Sequence, residues 1–281
     1  MAVKIVTDTL SDITGDLIDE LGITVIPLYV RFGETVYKDR VEITSEEFYR
    51  RLVSEPHLPS TTQPTPNDFL QVYESLARET DEILVIVVSS KLSGTYQSAT
   101  QAKEMMQGKC RIEVVDSLSV AMNMGLIVIA AVNAVKAGAN LDEAANLARG
   151  AISRSHLVAY FDTLKYLAKG GRIGKASGLL GSLLSVKPLL TIREGEMAPL
   201  TRVRSLSAGL DYIYNYAAGF SNIELMAVEH CTTPDDADLL VERLGDIYPK
   251  EKIYRSVISP VIGTYSGPKA LAITVLEGEK K

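Results

Sequence analysis

The chain has 281 residues, 46% of them hydrophobic, which is enough for one large domain or two ordinary ones. Its net charge of −6 and the lack of a Lys/Arg block argue against a nucleic-acid surface. No long apolar segment of the secretory type opens the sequence, and the longest apolar run, 125–132, is too short to cross a bilayer. We therefore expect a cytoplasmic protein with at most a transient membrane contact.

Cysteine and histidine give no sign of a metal site. Cys110 and Cys231 lie far apart and form no CxxC pattern, so we expect reduced, buried thiols. His57, His156 and His230 share no spacing typical of metal ligands. The sequence therefore predicts neither a metal nor another cofactor.

The first eighty residues alternate apolar runs with helix signals. The elements predicted here are strands over 4–7, 24–31 and 35–38, the last two a hairpin around Gly33, and helices over 13–21, from Thr44 and from Thr65. Pro27 favours an edge position, because proline cannot donate to a strand ladder. The segment 55–66 contains four prolines and predicts no regular structure.

A short β-branched run at 83–88 ends abruptly in the sequence SSKLSGT. This pattern predicts a buried parallel strand followed by a hydroxyl-rich turn at a helix N-terminus. Ligands of open α/β sheets bind at such strand ends, and free N–H groups beside hydroxyls suit a carboxylate or phosphate. Ser93 and Gly94 are thus candidates for an anionic head group. The alternative is that Ser93 only caps the helix.

The remaining elements divide the chain into two parts. The predicted elements are strands over 111–115, 157–161, 187–193, 197–203, 223–229, 252–258 and 270–276, and helices over 124–137, 141–154, 161–171, 205–218 and 234–247, with a loop over 259–269. The first part alternates strands and helices, and the second mixes hairpins with helices. We predict a three-layer α/β/α domain with a mainly parallel sheet over 1–155 and a two-layer domain with a mixed sheet over 156–281.

Further polar segments are candidate ligand sites. Thr61 and Thr62, between prolines, can donate to an anion or satisfy local turns. Tyr265 and Ser266 belong to a turn-dense segment that reaches a ligand or only connects two strands. Asp8, Asp12 and Asp116 follow predicted strands and are expected to cap strand ends.

The segment 169–175, KGGRIGK, superficially resembles a phosphate-binding loop. Its glycine spacing is one residue short, and Ala176 stands where that motif needs Ser or Thr. The segment predicts an exposed basic turn around Arg172, or simply a helix end followed by solvated charges. The leucine-rich segment 178–190 is ordinary core or the lining of an apolar tunnel.

Taken together, these segments resemble the DegV family of fatty-acid-binding proteins. The resemblance covers essentially the whole chain. It rests on IVTDTLSD, IPLYVRFGETVYKD, STTQPTP, SSKLSGTYQSA, VDSLSVAMNMG, LKYLAKGGRIG, VKPLL and GTYSGP, in this order. It implies two α/β domains with a fatty acid between them. It also implies a carrier without its own catalytic site, which presents the acyl carboxylate to a separate ATP-dependent fatty acid kinase for phospholipid synthesis.

The resemblance also implies roles for individual residues. Ser93, with Gly94 beside it, matches the serine that binds the carboxylate, and Thr61 with Thr62 matches a threonine pair near it. The resemblance implies that Arg172 contacts the kinase. It also implies that Arg202 and Arg204 form a basic segment near the mouth of the pocket. Tyr265 stands where many relatives carry histidine, so the site keeps a hydrogen-bond donor but has less positive charge.

Two other functions are compatible with the sequence. The first is a small-molecule phosphotransferase or esterase that acts through Ser93, although no GxSxG elbow is present. The second is a carrier or sensor of another amphiphile without a kinase partner.

Overall fold

The computed structural model describes residues 3–182 and 186–279. Its strands are β1 Lys4–Asp8, β2 Ile23–Ile26, β3 Tyr29–Phe32, β4 Thr35–Lys38, β5 Ser60–Thr62, β6 Glu82–Val87, β7 Arg111–Asp116, β8 Ser155–Phe161, β9 Lys187–Arg193, β10 Glu196–Val203, β11 Ile223–His230, β12 Ile253–Val257 and β13 Ala270–Glu277. Its α-helices are α1 Gly15–Leu21, α2 Ser45–Ser54, α3 Pro66–Leu76, α4 Thr95–Met105, α5 Met122–Lys136, α6 Leu141–Ile152, α7 Lys165–Lys169, α8 Leu206–Ala218, α9 Pro234–Leu244 and α10 Pro260–Ser266. Short 3-10 turns cover Thr9–Ser11, Gly174–Ser182 and Lys250–Lys252.

The first part of the chain forms a parallel sheet with the strand order β2-β1-β6-β7. Ile5 on β1 pairs with Leu84 on one side and with Ile23 on the other. Helices α3 and α4 pack on one face of this sheet, and α5 and α6 pack on the other. The mainly parallel α/β/α arrangement predicted for this part is confirmed.

A small antiparallel sheet, β4-β3-β5, flanks the parallel sheet and corrects two predictions. The strand predicted over 24–31 breaks at Pro27, which has no N–H, and the next N–H, that of Leu28, binds Thr9 Oγ1 instead of a ladder. The segment 55–66 is not wholly irregular, because Ser60–Thr62 lies between prolines but keeps donors that pair with β3.

The second part forms a mixed sheet with the order β10-β9-β8-β13-β11-β12. The predicted β9–β10 hairpin is confirmed, and its turn places Glu194 and Gly195 at positive φ. The predicted loop over 259–269 is wrong, since most of it is helix α10. Pro260 occupies the first turn of that helix, where its missing N–H has no consequence, and Gly267 ends it at φ +75°.

The two sheets share a layer of helices. One face of the mixed sheet packs on α8 and α9, and its other face packs on the same core that contains α5 and α6. The described chain is therefore a stack of helices, sheet, helices, sheet and helices. We propose to divide it into two domains at Ser155, where the chain enters the mixed sheet.

Helix ends follow the capping signals of the sequence. The side chain of Thr44 accepts the N–H of Glu47, as predicted. Asn140 and Glu143 each accept the other's backbone N–H, which is the reciprocal arrangement of a capping box at the start of α6.

Candidate functional site

An apolar cavity of about 730 Å³, its opening included, lies between the two sheets, beside the N-terminal end of α5. Its walls suit a ligand with a large apolar part. Its lining consists of Leu10, Val88, Leu92, Val120, Ala121, Leu157, Ala159, Phe161, Leu167, Arg172, Met197, Glu229, Ile258, Val261, Ile262, Tyr265, Ser266, Ala270 and Ala272.

Both sheets contribute to the walls. Residues that follow the carboxyl ends of the parallel strands, such as Val88 and Leu92, face alanines of β8 and β13 across the cavity. Such strand ends are where open α/β sheets bind ligands. Helix α10 adds Val261 and Ile262. The turn that follows the strand at 83–88 therefore contributes to the wall of a cavity, and the binding of a ligand there stays a prediction.

Hydroxyl groups from both domains meet at the mouth of this cavity. The hydroxyls of Thr61 on β5 and Tyr265 on α10 form a hydrogen bond of 2.5 Å. The Arg172 guanidinium lies 5.1 Å from the centre of the Tyr265 ring, and it donates to the carbonyls of Leu92 and Gly170 at 3.3 and 2.8 Å. A Cβ at Gly170 would stand 2.3 Å from the ring, so this close contact requires glycine.

Ser93 lies next to the same mouth and does not cap helix α4. That helix begins at Thr95, and its N-cap residue is Gly94, which has no side chain that could cap it. The Ser93 hydroxyl instead lies 2.9 Å from the Thr95 hydroxyl. The capping alternative is therefore wrong, and the half-buried Ser93 hydroxyl remains close to the N-terminal N–H groups of α4.

The loop that carries Thr61 also contacts Gly94. The Gln63 side chain packs so closely on Gly94 that a Cβ there would lie 2.3 Å from the Gln63 nitrogen. Thr61, Gly94, Ser93 and Tyr265 are thus brought into one neighbourhood. Thr62 is exposed, and because neighbours on a strand face opposite sides, it points away from Tyr265.

Arg202 and Arg204 lie outside the described lining of the cavity. Arg202 pairs with Pro188 at the end of β10, and Met197 is the residue of that strand that lines the cavity. Both arginines are exposed. Their role at the mouth of the pocket remains a prediction.

The tunnel lining expected over 178–190 is only partly described. Residues 183–185 and the side chains of 180–182 lie outside the described part. Of the remainder, Leu190 is fully buried in the core. Neither Leu190 nor Leu179 belongs to the described cavity lining.

Behind the cavity lies a buried polar cluster, which we call the rear cluster: Asp12, Asp39, Arg40, Ser256 and Ser259. Arg40 forms an ion pair with Asp12 at 3.2 Å, and Asp12 accepts the N–H of Ser259 at 3.1 Å. Within the described residues, neither oxygen of Asp39 makes a hydrogen bond of good geometry, and the Thr9 hydroxyl and the Val261 N–H are only near enough to favour its charged form weakly. Burial raises the pKa of Asp12, and it raises the pKa of Asp39 to about 7.

One carboxyl belongs to the cavity wall itself. Glu229 is fully buried, and its oxygens accept the N–H of Met122 at 2.7 and 3.2 Å. Burial, followed by the nearby charge of Asp12, raises the pKa of Glu229 well above its ordinary value. Our sequence reasoning missed Glu229. The sequence signal that could have identified Glu229 is its position as a charged residue at the end of the apolar strand predicted over 223–229.

The other strand-end acids cap the backbone as expected. Asp8 accepts the N–H groups of Leu10 and Val88 at 2.8 Å, and Asp116 accepts those of Ser90 and Leu118. Burial nevertheless raises the pKa of Asp8 to about 7.

The two cysteines lie in buried positions, as predicted. Cys110 and Cys231 are free and buried, and burial raises the pKa of Cys231 to about 11. Among residues 3–182 and 186–279 no group of His, Cys, Asp and Glu has an arrangement that could hold a metal ion. In the same residues, no helix is long and apolar enough to cross a membrane.

Fold and site together define an α/β protein whose two sheets enclose an apolar cavity with a hydroxyl-rich mouth. The chain belongs to the DegV family, whose model matches residues 2–278. It is 36% identical to a DegV domain-containing protein of Caldanaerobacter subterraneus, over 96% of this chain and 97% of the other.

Solved structures show the same two-domain fold. A DegV family protein from Thermus thermophilus, described by its fatty acid binding, has 32% identity and a TM-score of 0.90, over 99% of this chain and 100% of the other. DegV of Bacillus subtilis, described as a fatty acid binding protein, has 28% identity and a TM-score of 0.90 with the same coverage.

Proposed function

We propose that this protein binds a long-chain fatty acid in the cavity and presents its carboxylate to a separate ATP-dependent kinase. The observation that carries the proposal is the combination of an apolar cavity with the hydrogen-bonded hydroxyls of Thr61 and Tyr265 at its mouth. The fatty acid binding described for the relatives from Thermus thermophilus and Bacillus subtilis supports it.

Burial of the acyl chain accounts for most of the expected affinity. A sixteen-carbon acid has about 14 methylene groups, and at roughly 0.8 kcal/mol each their transfer from water supplies about 11 kcal/mol before entropic costs. The mouth then needs only to satisfy the carboxylate, since an unpaired charge there would cost several kcal/mol. The hydroxyls of Ser93, Thr61 and Tyr265 and the N–H of Gly94 are the donors we assign to it.

The chemical step belongs to the partner. A carboxylate oxygen of the bound acid attacks the γ-phosphorus of ATP, the bond from that phosphorus to ADP breaks, and the products are acyl phosphate and ADP. The acyl phosphate then enters phospholipid synthesis. Arg172 is exposed beside the mouth, so we assign it to the contact with the kinase. Arg202 near the end of β10 and Arg204 just after it are both exposed, and for them we propose a contact near the pocket mouth.

A carrier without a kinase is the second candidate, and Tyr265 is the observation that favours it. A phenol cannot carry the positive charge of the histidine that the resemblance places at this position in many relatives. Such a protein would bind the lipid but fail to stimulate its phosphorylation.

The first experiment asks what the purified protein carries. Mass spectrometry of an organic extract, together with the native mass of the intact protein, should show a long-chain fatty acid in about stoichiometric amount. Protein that is free of lipid and also fails to take up added palmitic acid would contradict the proposal.

A second assay separates the carrier from an enzyme. The protein alone should neither hydrolyse ATP nor cleave an acyl ester, and phosphorylation of palmitic acid should need an added kinase. Turnover by the purified protein that disappears in Ser93→Ala would instead favour a phosphotransferase or esterase.

A further inference from the structure

Glu229 places a carboxyl group in the wall of the cavity, where the hydrocarbon chain of an unsubstituted fatty acid has no polar group to bind it. Among the described residues that line the cavity, it carries the one carboxyl group, and that carboxyl is fully buried. A buried carboxyl without full hydrogen bonding is destabilising. Its presence in an otherwise apolar wall therefore needs an explanation.

Strand register places Glu229 in the middle of the cavity. Paired residues of an antiparallel sheet share a face, so Glu229, Ala272 and Ala159 form one row across β11, β13 and β8. The neighbouring row contains Ala270 and Phe161, two residues along the strands from the row of Glu229. It lies nearer to the mouth of the cavity, where helices α7 and α10 contribute lining residues.

A further row lies beyond Glu229. It contains Leu157, which pairs with Thr274 and also lines the cavity. Successive rows on one face are about 7 Å apart, because each residue of a strand advances about 3.3 Å. Glu229 therefore faces the middle of an extended acyl chain whose carboxylate lies at the mouth, neither its head nor its end.

Small side chains leave space beside the carboxyl. Ala121, Ala159 and Ala272 all line the cavity next to Glu229, whereas the rows on either side contain Phe161 and Leu157. A substituent on the acyl chain fits at this level more easily than at the neighbouring ones.

The hydrogen-bonding capacity of Glu229 is only partly used. Within the described chain, the N–H of Met122 is the donor that its two oxygens share. Burial raises the pKa of the carboxyl and so favours its protonated form, which has an O–H group to donate. A hydroxyl group both accepts and donates, so it can complete these hydrogen bonds.

We propose, on the basis of the fatty acid binding proposed above, that Glu229 receives a hydroxyl group carried at the middle of the acyl chain. Hydroxylated long-chain fatty acids are accordingly ligands of this cavity, and Glu229 is a specificity-determining residue.

Glu229 also has a structural role, and the test must separate this role from the proposed binding of a hydroxyl group. Ala121 cannot cap α5 with its side chain, and Glu229 accepts the N–H of Met122 in its place. Glu229→Gln keeps an oxygen for this N–H and an amide that binds a hydroxyl. Glu229→Met removes both, and Ala272→Val fills the space beside the carboxyl while Glu229 stays in place.

The experiment compares stearic acid with hydroxystearic acids whose hydroxyl lies near the carboxylate, at mid-chain or near the methyl end. Each acid is titrated into delipidated protein that holds a fluorescent fatty acid, and the displacement of this probe gives the affinity. We expect the wild type to favour the mid-chain hydroxyl over the other two positions by about tenfold, each affinity taken relative to stearic acid. Glu229→Gln should retain this preference, and Glu229→Met and Ala272→Val should lose it.

The outcomes separate the two proposals. If stearic acid binds but the wild type ranks all hydroxyl positions alike, the role of Glu229 is overturned and the fatty acid binding stands. An unchanged preference in both Glu229→Met and Ala272→Val overturns it as well. If neither stearic acid nor any hydroxystearic acid binds, the proposed function itself fails. Thermal unfolding of each ligand-free variant shows that it is folded, and Ala272→Val provides the test should Glu229→Met not fold.

Discussion

Helix α10 connects the two domains at both of its ends, and the two ends are held in different surroundings. At its start, the N–H of Ser259 binds Asp12 and the Ile258 carbonyl accepts the Tyr49 hydroxyl, all in buried positions. At its other end, Tyr265 reaches Thr61 at the partly exposed mouth of the cavity. Because unpaired polar groups cost far more when buried, the first end is expected to be fixed and the second open to exchange with a ligand.

The largest effect is expected from breaking the rear cluster. Arg40→Ala removes the partner of Asp12 and the donors to the carbonyls of Ile13 and Val257. An unpaired buried carboxylate remains, so the free energy of unfolding should fall by about 3 kcal/mol in urea titrations. The matched control is Arg50→Ala, which breaks an exposed pair with Glu47 and should cost about 0.5 kcal/mol. Equal losses would show that the two ends of α10 do not differ.

The next effect concerns pH and Asp39. Its pKa is about 7 in the folded protein and 3.8 in the unfolded chain, so ionisation weakens the fold. The contribution of Asp39 to stability is complete below pH 4 and declines as the pH rises through 7. Between pH 5 and 8 it should reduce the free energy of unfolding by about 3 kcal/mol, at roughly 1.4 kcal/mol per pKa unit.

Asp39→Asn tests this dependence. It keeps the shape without the charge, so its stability should vary less between pH 5 and 8 and exceed that of the wild type above pH 7. Asp8→Asn is the contrasting variant, because Asp8 uses both oxygens to accept N–H groups and an amide retains only one acceptor. It should be less stable at every pH. Parallel pH curves of the wild type and Asp39→Asn would contradict the assignment.

At the mouth, Tyr265→Phe removes one hydroxyl and leaves the ring on Gly170 in place. The variant should fold with little change in stability and bind palmitic acid about tenfold more weakly, because a carboxylate loses one donor. Calorimetric titration measures the difference. Tyr248→Phe serves as the control, since its hydroxyl binds the Glu224 carbonyl on an exposed surface. Unchanged affinity in Tyr265→Phe would exclude the phenol from the head-group site.

The smallest effect on affinity is expected for Ser93→Ala. The Thr95 hydroxyl lies 2.9 Å from that of Ser93 and can take over part of its hydrogen bonding. Binding of palmitic acid should weaken by no more than about fivefold, whereas phosphorylation by the kinase should slow much more, because the carboxylate is misplaced. Ser90→Ala, on the same turn, is the control. Similar losses of binding and phosphorylation would contradict a positioning role for Ser93.

Much of the fold followed from local sequence patterns. The β-branched run at 83–88 and the Glu194–Gly195 turn identify a parallel strand and a hairpin, because burial and turn geometry act over neighbouring residues. Strand β5 and helix α10 escaped prediction. Each lies in a segment rich in proline or glycine, and contacts with distant residues stabilise it.

Contacts between distant residues also limited what the sequence could predict about the site. Thr61 and Tyr265 were candidates from their segments alone, but they are 204 residues apart, and no periodicity predicts that their hydroxyls meet. The rear cluster and Glu229 were missed for the same reason. Their roles depend on burial between two domains, and a sequence pattern describes burial only within one element.

The position of α5 between the two sheets has a consequence for how the protein folds. Residues Met122–Val132 are buried all round, so this helix has no face that tolerates water. A nascent chain that ends before the mixed sheet would therefore expose an apolar helix and tend to aggregate. The two domains should then acquire their final structure in a single cooperative step, and neither half should be obtainable alone as a soluble fragment.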